Sequence, residues 1–141
     1  MPKDILIKIK NKKFDEFLKS EDTFRVYKDK KLIFTSREER LMPILEYADR
    51  YFPYEKGVTV FDRVVGNAAA LLLEKILCSK VFSELGSENA KHTLESFGIK
   101  YHFLEIVPYI ENDSRQDICP MEKMSSGKNP EDFYQMLKNN R

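Results

Sequence analysis

The stretch from Phe61 to Leu73 constrains this chain most. Read as a helix, it carries apolar residues on every side, with Val64 and Val65 followed by Ala68-Ala69-Ala70-Leu71-Leu72-Leu73. A helix apolar all round offers no face to water, so it is central and other elements must pack around it. Asp62 reads as its N-cap. The alanine triplet lets the helix lie close to a sheet. The clean apolar run, Ala68 to Leu73, is far short of the ~18 residues that argue a membrane span.

The flanking segments supply the layers. Asp4 to Lys19 mixes two patterns: Ile5, Ile7 and Ile9 alternate like a strand, whereas Ile9, Phe14, Phe17 and Leu18 fit a helical face. The reading is a helix over at least Lys12 to Lys19. Thr23–Tyr27 and Lys31–Thr35 form a hairpin around the polar turn Lys28-Asp29-Lys30. Pro43 opens a helix with Ile44, Leu45, Ala48, Tyr51 and Phe52 on its apolar stripe. Val81, Phe82 and Leu85 read as a buried strand, Gly86 as a turn, and Ser87 as the cap of a helix over Glu88–Phe97. Gly98 ends that helix and Ile99 makes the apolar contact after it. Tyr101–Ile110 is a strand with its end marked by Pro108. Glu111–Asp117 is loop-like and Cys119-Pro120 opens a short helix. Ser126–Asn129 is a small linker, and Asn129 caps a last helix begun by Pro130, with Phe133, Met136 and Leu137 on one face. Strands alternating with helices after a hairpin imply an α/β domain with a mixed sheet. One domain over 1–141 is expected, with its core at about 23–124 and terminal helices added, the second at 130–139.

Charge excludes some functions. Lys+Arg number 24 against 23 Asp+Glu, a net charge of +1. That balance speaks against a basic nucleic-acid binder and against an acidic tail protein. No basic head with an apolar stretch opens the chain, and two cysteines are too few for a disulfide scaffold. A cytoplasmic protein with reduced thiols is expected, with no nucleic-acid or membrane partner and no cofactor.

Four places could carry chemistry. His92 and His102 lie in different elements and read as surface histidines; no C-x-x-C, H-x-E or glycine-rich phosphate loop is present. In Cys119-Pro120-Met121-Glu122, a cysteine at a helix start would have a lowered pKa. Glu122 could fold back onto the cap as in a capping box, act as a nearby base, or oppose the thiolate by its charge. The plain alternative is a buried structural cysteine beside a capping glutamate. Cys78 should be packed away. In Asp62-Arg63-x-x-Gly66-Asn67, a glycine in a buried helix's first turns marks a close approach by backbone or ligand, or ordinary packing. Ser87-Glu88 reads as a cap with a dipole-complementing carboxylate, of functional interest only beside the other helix starts.

Taken together, Asp62-Arg63-Val64-Val65-Gly66-Asn67-Ala68-Ala69-Ala70, Ser87-Glu88, Val107-Pro108-Tyr109-Ile110-x-Asn112 and Cys119-Pro120-Met121-Glu122 resemble a family of small prokaryotic proteins that form a domain of unknown function. The resemblance covers roughly Thr23 to Met124. It implies a cytidine deaminase-like fold, a five-stranded mixed sheet between helical layers. Zinc-dependent relatives draw their ligands from two helix starts, one with H-x-E or C-x-E and the other with P-C-x-x-C. The corresponding starts here, Asp62–Gly66 and Ser87–Ala90, hold no His or Cys, which speaks against zinc-dependent deamination. The family pattern usually has Lys where Asn67 stands and Arg where Asp113 stands; without them the resemblance implies either that this chain takes no anionic ligand or that Arg63 alone supplies the charge.

Three functions remain in play. The leading one is a domain that binds a small polar or nucleotide-like ligand with Asp62, Arg63, Gly66, Asn67, Ser87, Glu88, Cys119 and Glu122. The second is a thiol enzyme or sulfur carrier with Cys119 as nucleophile and Glu122 as its partner. The third is a structural or interaction module. The sequence leaves oligomeric state and ligand identity open.

Overall fold

The computed structural model describes residues 11–111 and 120–139. Helix α1 (Lys12–Lys19) is followed by the hairpin β1 (Phe24–Lys28) and β2 (Lys31–Ser36), then α2 (Met42–Arg50) and β3 (Val58–Val65). There follow α3 (Asn67–Lys75), β4 (Cys78–Ser87), α4 (Glu88–Phe97), β5 (Lys100–Val107), α5 (Pro120–Ser125) and α6 (Pro130–Asn139). The alternating stretch Ile5–Ile9, Asp113 and Cys119 lie outside the described residues.

The five strands form one mixed sheet in the order β2-β1-β3-β4-β5. β1 runs antiparallel to both neighbours, and β3, β4 and β5 run parallel. Its faces follow from strand alternation. Phe61 and Phe82 pair across β3 and β4 and, with Tyr27, bury Phe14 and Phe17 of α1. Val60 and Val81 pair on the opposite face. There they meet Ile44 and Tyr47 of α2, the Ala68–Leu73 run of α3, Leu94 of α4, and Phe133 and Leu137 of α6. The sheet is thus covered by α1 on one side and by the other helices on the second.

The chain departs from the sequence reading at Phe61–Leu73. This is not one helix. Val58–Val65 is the central strand, and the helix begins only at Asn67 with Gly66 as N-cap, so Asp62 is a strand residue and caps nothing. Val58, Val60, Val64 and Val65 are β-branched and favour a strand, and their period-2 alternation is hidden because residues on both faces are apolar. The element-by-element reading therefore counts four strands, whereas the described residues form five. The Ala68–Leu73 half does form a buried helix.

Smaller differences have local causes. Gly86 makes no turn. It lies inside β4, where a Cβ would stand 2.1 Å from the Phe103 ring, so the missing side chain makes room for an aromatic. Phe52 follows α2 and is exposed, outside its stripe. β5 stops at Val107, one residue before Pro108. His102 is buried against Phe82 and is no surface histidine, whereas His92 is exposed. Two other caps read from sequence, Ser87 and Asn129, hold: Ser87 Oγ accepts from Ala90 N at 3.0 Å and Asn129 Oδ1 accepts from Asp132 N at 2.8 Å. Gly98 closes α4 at φ +75°, where Ile99 N donates to Leu94 O.

Candidate functional site

The parallel strands β3 and β4 end in step. Asp62 pairs with Ser83 and Val65 with Gly86, so the next residues, Gly66 and Ser87, begin α3 and α4 side by side. This places two helix N-termini at one end of the sheet, where backbone N–H groups point outward without helical partners.

The two starts are capped differently. Ser87 caps α4 with its own hydroxyl. Gly66 has no side chain to cap α3, and the position is taken from afar. Glu122, on α5, places its carboxylate against Gly66, with the carboxyl carbon and both oxygens 2.5 Å from where a Cβ would stand. Its Oε2 accepts from the backbone N–H of Ala68 at 3.0 Å. A carboxylate is favoured at this end of a helix by the aligned peptide dipoles. Gly66 has an ordinary extended backbone, φ −98°, so its role is space and not backbone freedom.

A side-chain chain fixes the arrangement. Asn67 donates through Nδ2 to Ser125 Oγ at 2.9 Å and to Ser125 O at 3.3 Å, and its Oδ1 accepts from Thr93 Oγ1. Ser125 Oγ in turn donates to Glu122 O at 2.9 Å. Thr93, Asn67, Ser125 and Glu122 thereby join α4, α3 and α5. Glu122 is 8% exposed, and its second oxygen, Oε1, is buried without a partner among the described residues. Native proteins seldom leave such an atom unmet, because an unpaired buried acceptor costs about 1–3 kcal/mol.

One turn back along the strands, Asp62 and Ser83 are buried side by side and bond to their own strands. Asp62 Oδ1 accepts from Arg63 N at 2.8 Å, and Ser83 Oγ donates to Leu85 O at 3.0 Å. Burial pushes the Asp62 carboxyl up to about 8, while the backbone N–H groups of Arg63 and Val64 and the Arg63 charge pull the other way. Beyond this point Val65 rejoins the core, whereas Val64 is 41% exposed, so the alternation slips by one residue.

The candidate residues from the sequence divide accordingly. Gly66, Asn67 and Glu122 meet, with Ser87 at the neighbouring helix start. Glu122 is neither a capping-box residue of its own short helix nor turned to a cap there; it serves α3. Arg63 leaves the group altogether. On the α1 face its guanidinium lies 4.4 Å from the centre of the Phe17 ring, donates to the carbonyls of Phe17, Leu18, Ser20 and Asp22, and pairs with Glu84 at 2.6 Å. It closes the C-terminal end of α1, whose last carbonyls lack helical partners. Glu88 is exposed. Cys119 lies outside the described residues. Cys78 is buried at the start of β4, where burial pushes its thiol up to about 12. Thr93 and Ser125 were not singled out from sequence. A lone Thr on a helix and a Ser at a helix end carry no signal before the partner helices are placed.

Residues 13–140 match the family described as "TM1506: Domain of unknown function (DUF1893)". The chain belongs to the DUF1893 family. A solved DUF1893 family protein, TM1506 from Thermotoga maritima, in a crystal structure at 2.70 Å resolution, superposes with a TM-score of 0.82. It is 24% identical, and the match covers 100% of this chain and 92% of that one. At that identity the likeness shows a shared DUF1893 fold. No curated protein sequence matches the chain. Among the described residues no helix is long and apolar enough to cross a membrane, and no three His, Cys, Asp or Glu residues gather as metal ligands.

Proposed function

We propose that this DUF1893 chain is a binding domain for a small polar, nucleotide-like ligand, on a cytidine deaminase-like fold without zinc chemistry. The five-stranded mixed sheet between helical layers supports the fold reading. The ligand place is the end of β3 and β4 where α3 and α4 begin, since α/β sheets offer crevices beyond the carboxyl ends of parallel strands. The residues at these helix starts do not fit zinc: Gly66-Asn67-Ala68 and Ser87-Glu88-Asn89-Ala90 offer neither imidazole nor thiolate. Asn67, Ser87 and Glu122 form the polar wall, Gly66 leaves the space that the Glu122 carboxylate fills, and Asp62 lies buried four residues back on β3.

The observation that carries the reading is Glu122 Oε1, a buried acceptor with no partner among the described residues, held at the α3 start by a bond through its sister oxygen. A purely structural cap would have no use for an unmet acceptor. The test is a thermal-shift screen of nucleosides, nucleotides and amino acids, followed by amide NMR on the labelled chain. At least one compound should raise Tm and move the Gly66, Asn67 and Ala68 signals. A screen that moves none of these signals contradicts the reading.

A further inference from the structure

We propose that the ligand presents an N–H donor to Glu122 Oε1, as an amine, an amidine or the amino edge of a nucleobase, and that the site refuses anions. This rests on the ligand-binding reading above. A helix N-terminus ordinarily invites an anion. At α3 that place is already taken, because Glu122 Oε2 receives the Ala68 N–H and the carboxylate covers Gly66. The neighbouring side chains are largely engaged with one another. Asn67 donates to Ser125 and accepts from Thr93, Ser125 Oγ donates to Glu122 O, and Ser87 Oγ accepts from Ala90 N. Arg63, three residues before Gly66, is engaged on the opposite face of the sheet with the end of α1 and Glu84. An arriving phosphate would therefore meet the Glu122 carboxylate, with Arg63 turned away from it. An arriving N–H meets an acceptor whose burial makes it costly to leave unmet. If the donor is cationic, the hydrogen bond is charge-assisted and stronger.

The experiment uses the full chain, labelled with nitrogen-15, titrated separately with acetamidinium, cytosine and inorganic phosphate. Saturable movement of the Gly66 and Ala68 amide signals is expected with acetamidinium, cytosine or both, and none with phosphate. Response to acetamidinium alone identifies a charged donor, and response to cytosine alone a neutral one. Glu122→Gln keeps a carbonyl oxygen for the Ala68 N–H, puts an amide N–H₂ where Oε1 stood, and should weaken the responding probe at least tenfold in a chain that still melts cooperatively. Should that variant fail to fold, the three titrations of the unaltered chain decide alone. Movement with phosphate and not with the donors overturns the donor preference while leaving a ligand site standing. Silence with all three probes overturns the site itself. Equal donor affinity in Glu122→Gln removes the assignment to Glu122.

Discussion

Asp62 is a buried carboxyl group beside Ser83 on the neighbouring strand. Burial raises its pKa from an ordinary 3.8 to about 8. Between those values the unfolded chain carries the ionised form and the folded chain the protonated one. The folded state then binds the extra proton, so this residue's stabilising contribution is complete below pH ~4 and is lost as pH rises towards ~8. Asp62→Asn keeps a carbonyl acceptor for the backbone N–H groups and removes the titration. Denaturant unfolding at pH 5 and at pH 8 should show a fall in stability for the unaltered chain that is smaller by ~1–3 kcal/mol in the variant. Equal falls in both proteins would mean that Asp62 is ionised in the folded state at neutral pH.

At the scale of elements, the glycine inside β4 matters through the space it leaves. Gly86 lies under the Phe103 ring, with the ring atoms 2.1 to 2.5 Å from a would-be Cβ. Gly86→Ala should cost ~1–3 kcal/mol by overpacking in denaturant unfolding, and Phe103→Leu in the same chain should recover most of it. A variant as stable as the parent would mean that the ring moves aside freely. The elements most legible in the sequence were those with end signals of their own. The hairpin has its polar turn, α4 its Ser87 and Gly98, and α6 its Asn129 and Pro130. β3 was illegible because both its faces are buried, so Val58–Val65 lacks the polar alternation that distinguishes a strand from a buried helix. Gly86 was misread as punctuation because one chain does not reveal that an aromatic from β5 fills the space above it.

At the scale of the whole molecule, the segment 120–139 is tied to the sheet-and-helix body from both ends. Glu122 and Ser125 hold α5 to α3, while Lys75 of α3 pairs with Glu131 of α6 at 2.8 Å and lies between the rings of Tyr54 and Tyr134. From sequence, Glu122 and Gly66 were each singled out, but for separate reasons: one for a cysteine beside it, the other for a helix it appeared to interrupt. Their joint role depends on a contact between residues more than fifty positions apart. No local pattern announces such a contact, and neither Asn67–Thr93 nor Asn67–Ser125 has a spacing that would betray it. Gly66 is a glycine so that the Glu122 carboxylate can reach the start of α3. A double-mutant cycle on Gly66→Ala and Glu122→Ala, read by denaturant unfolding, tests it directly. Each single change should cost ~1–2 kcal/mol, and the double variant no more than Glu122→Ala alone, because removing the carboxylate frees the space for the new methyl group. Costs that simply add would contradict the claim and separate Gly66 from Glu122.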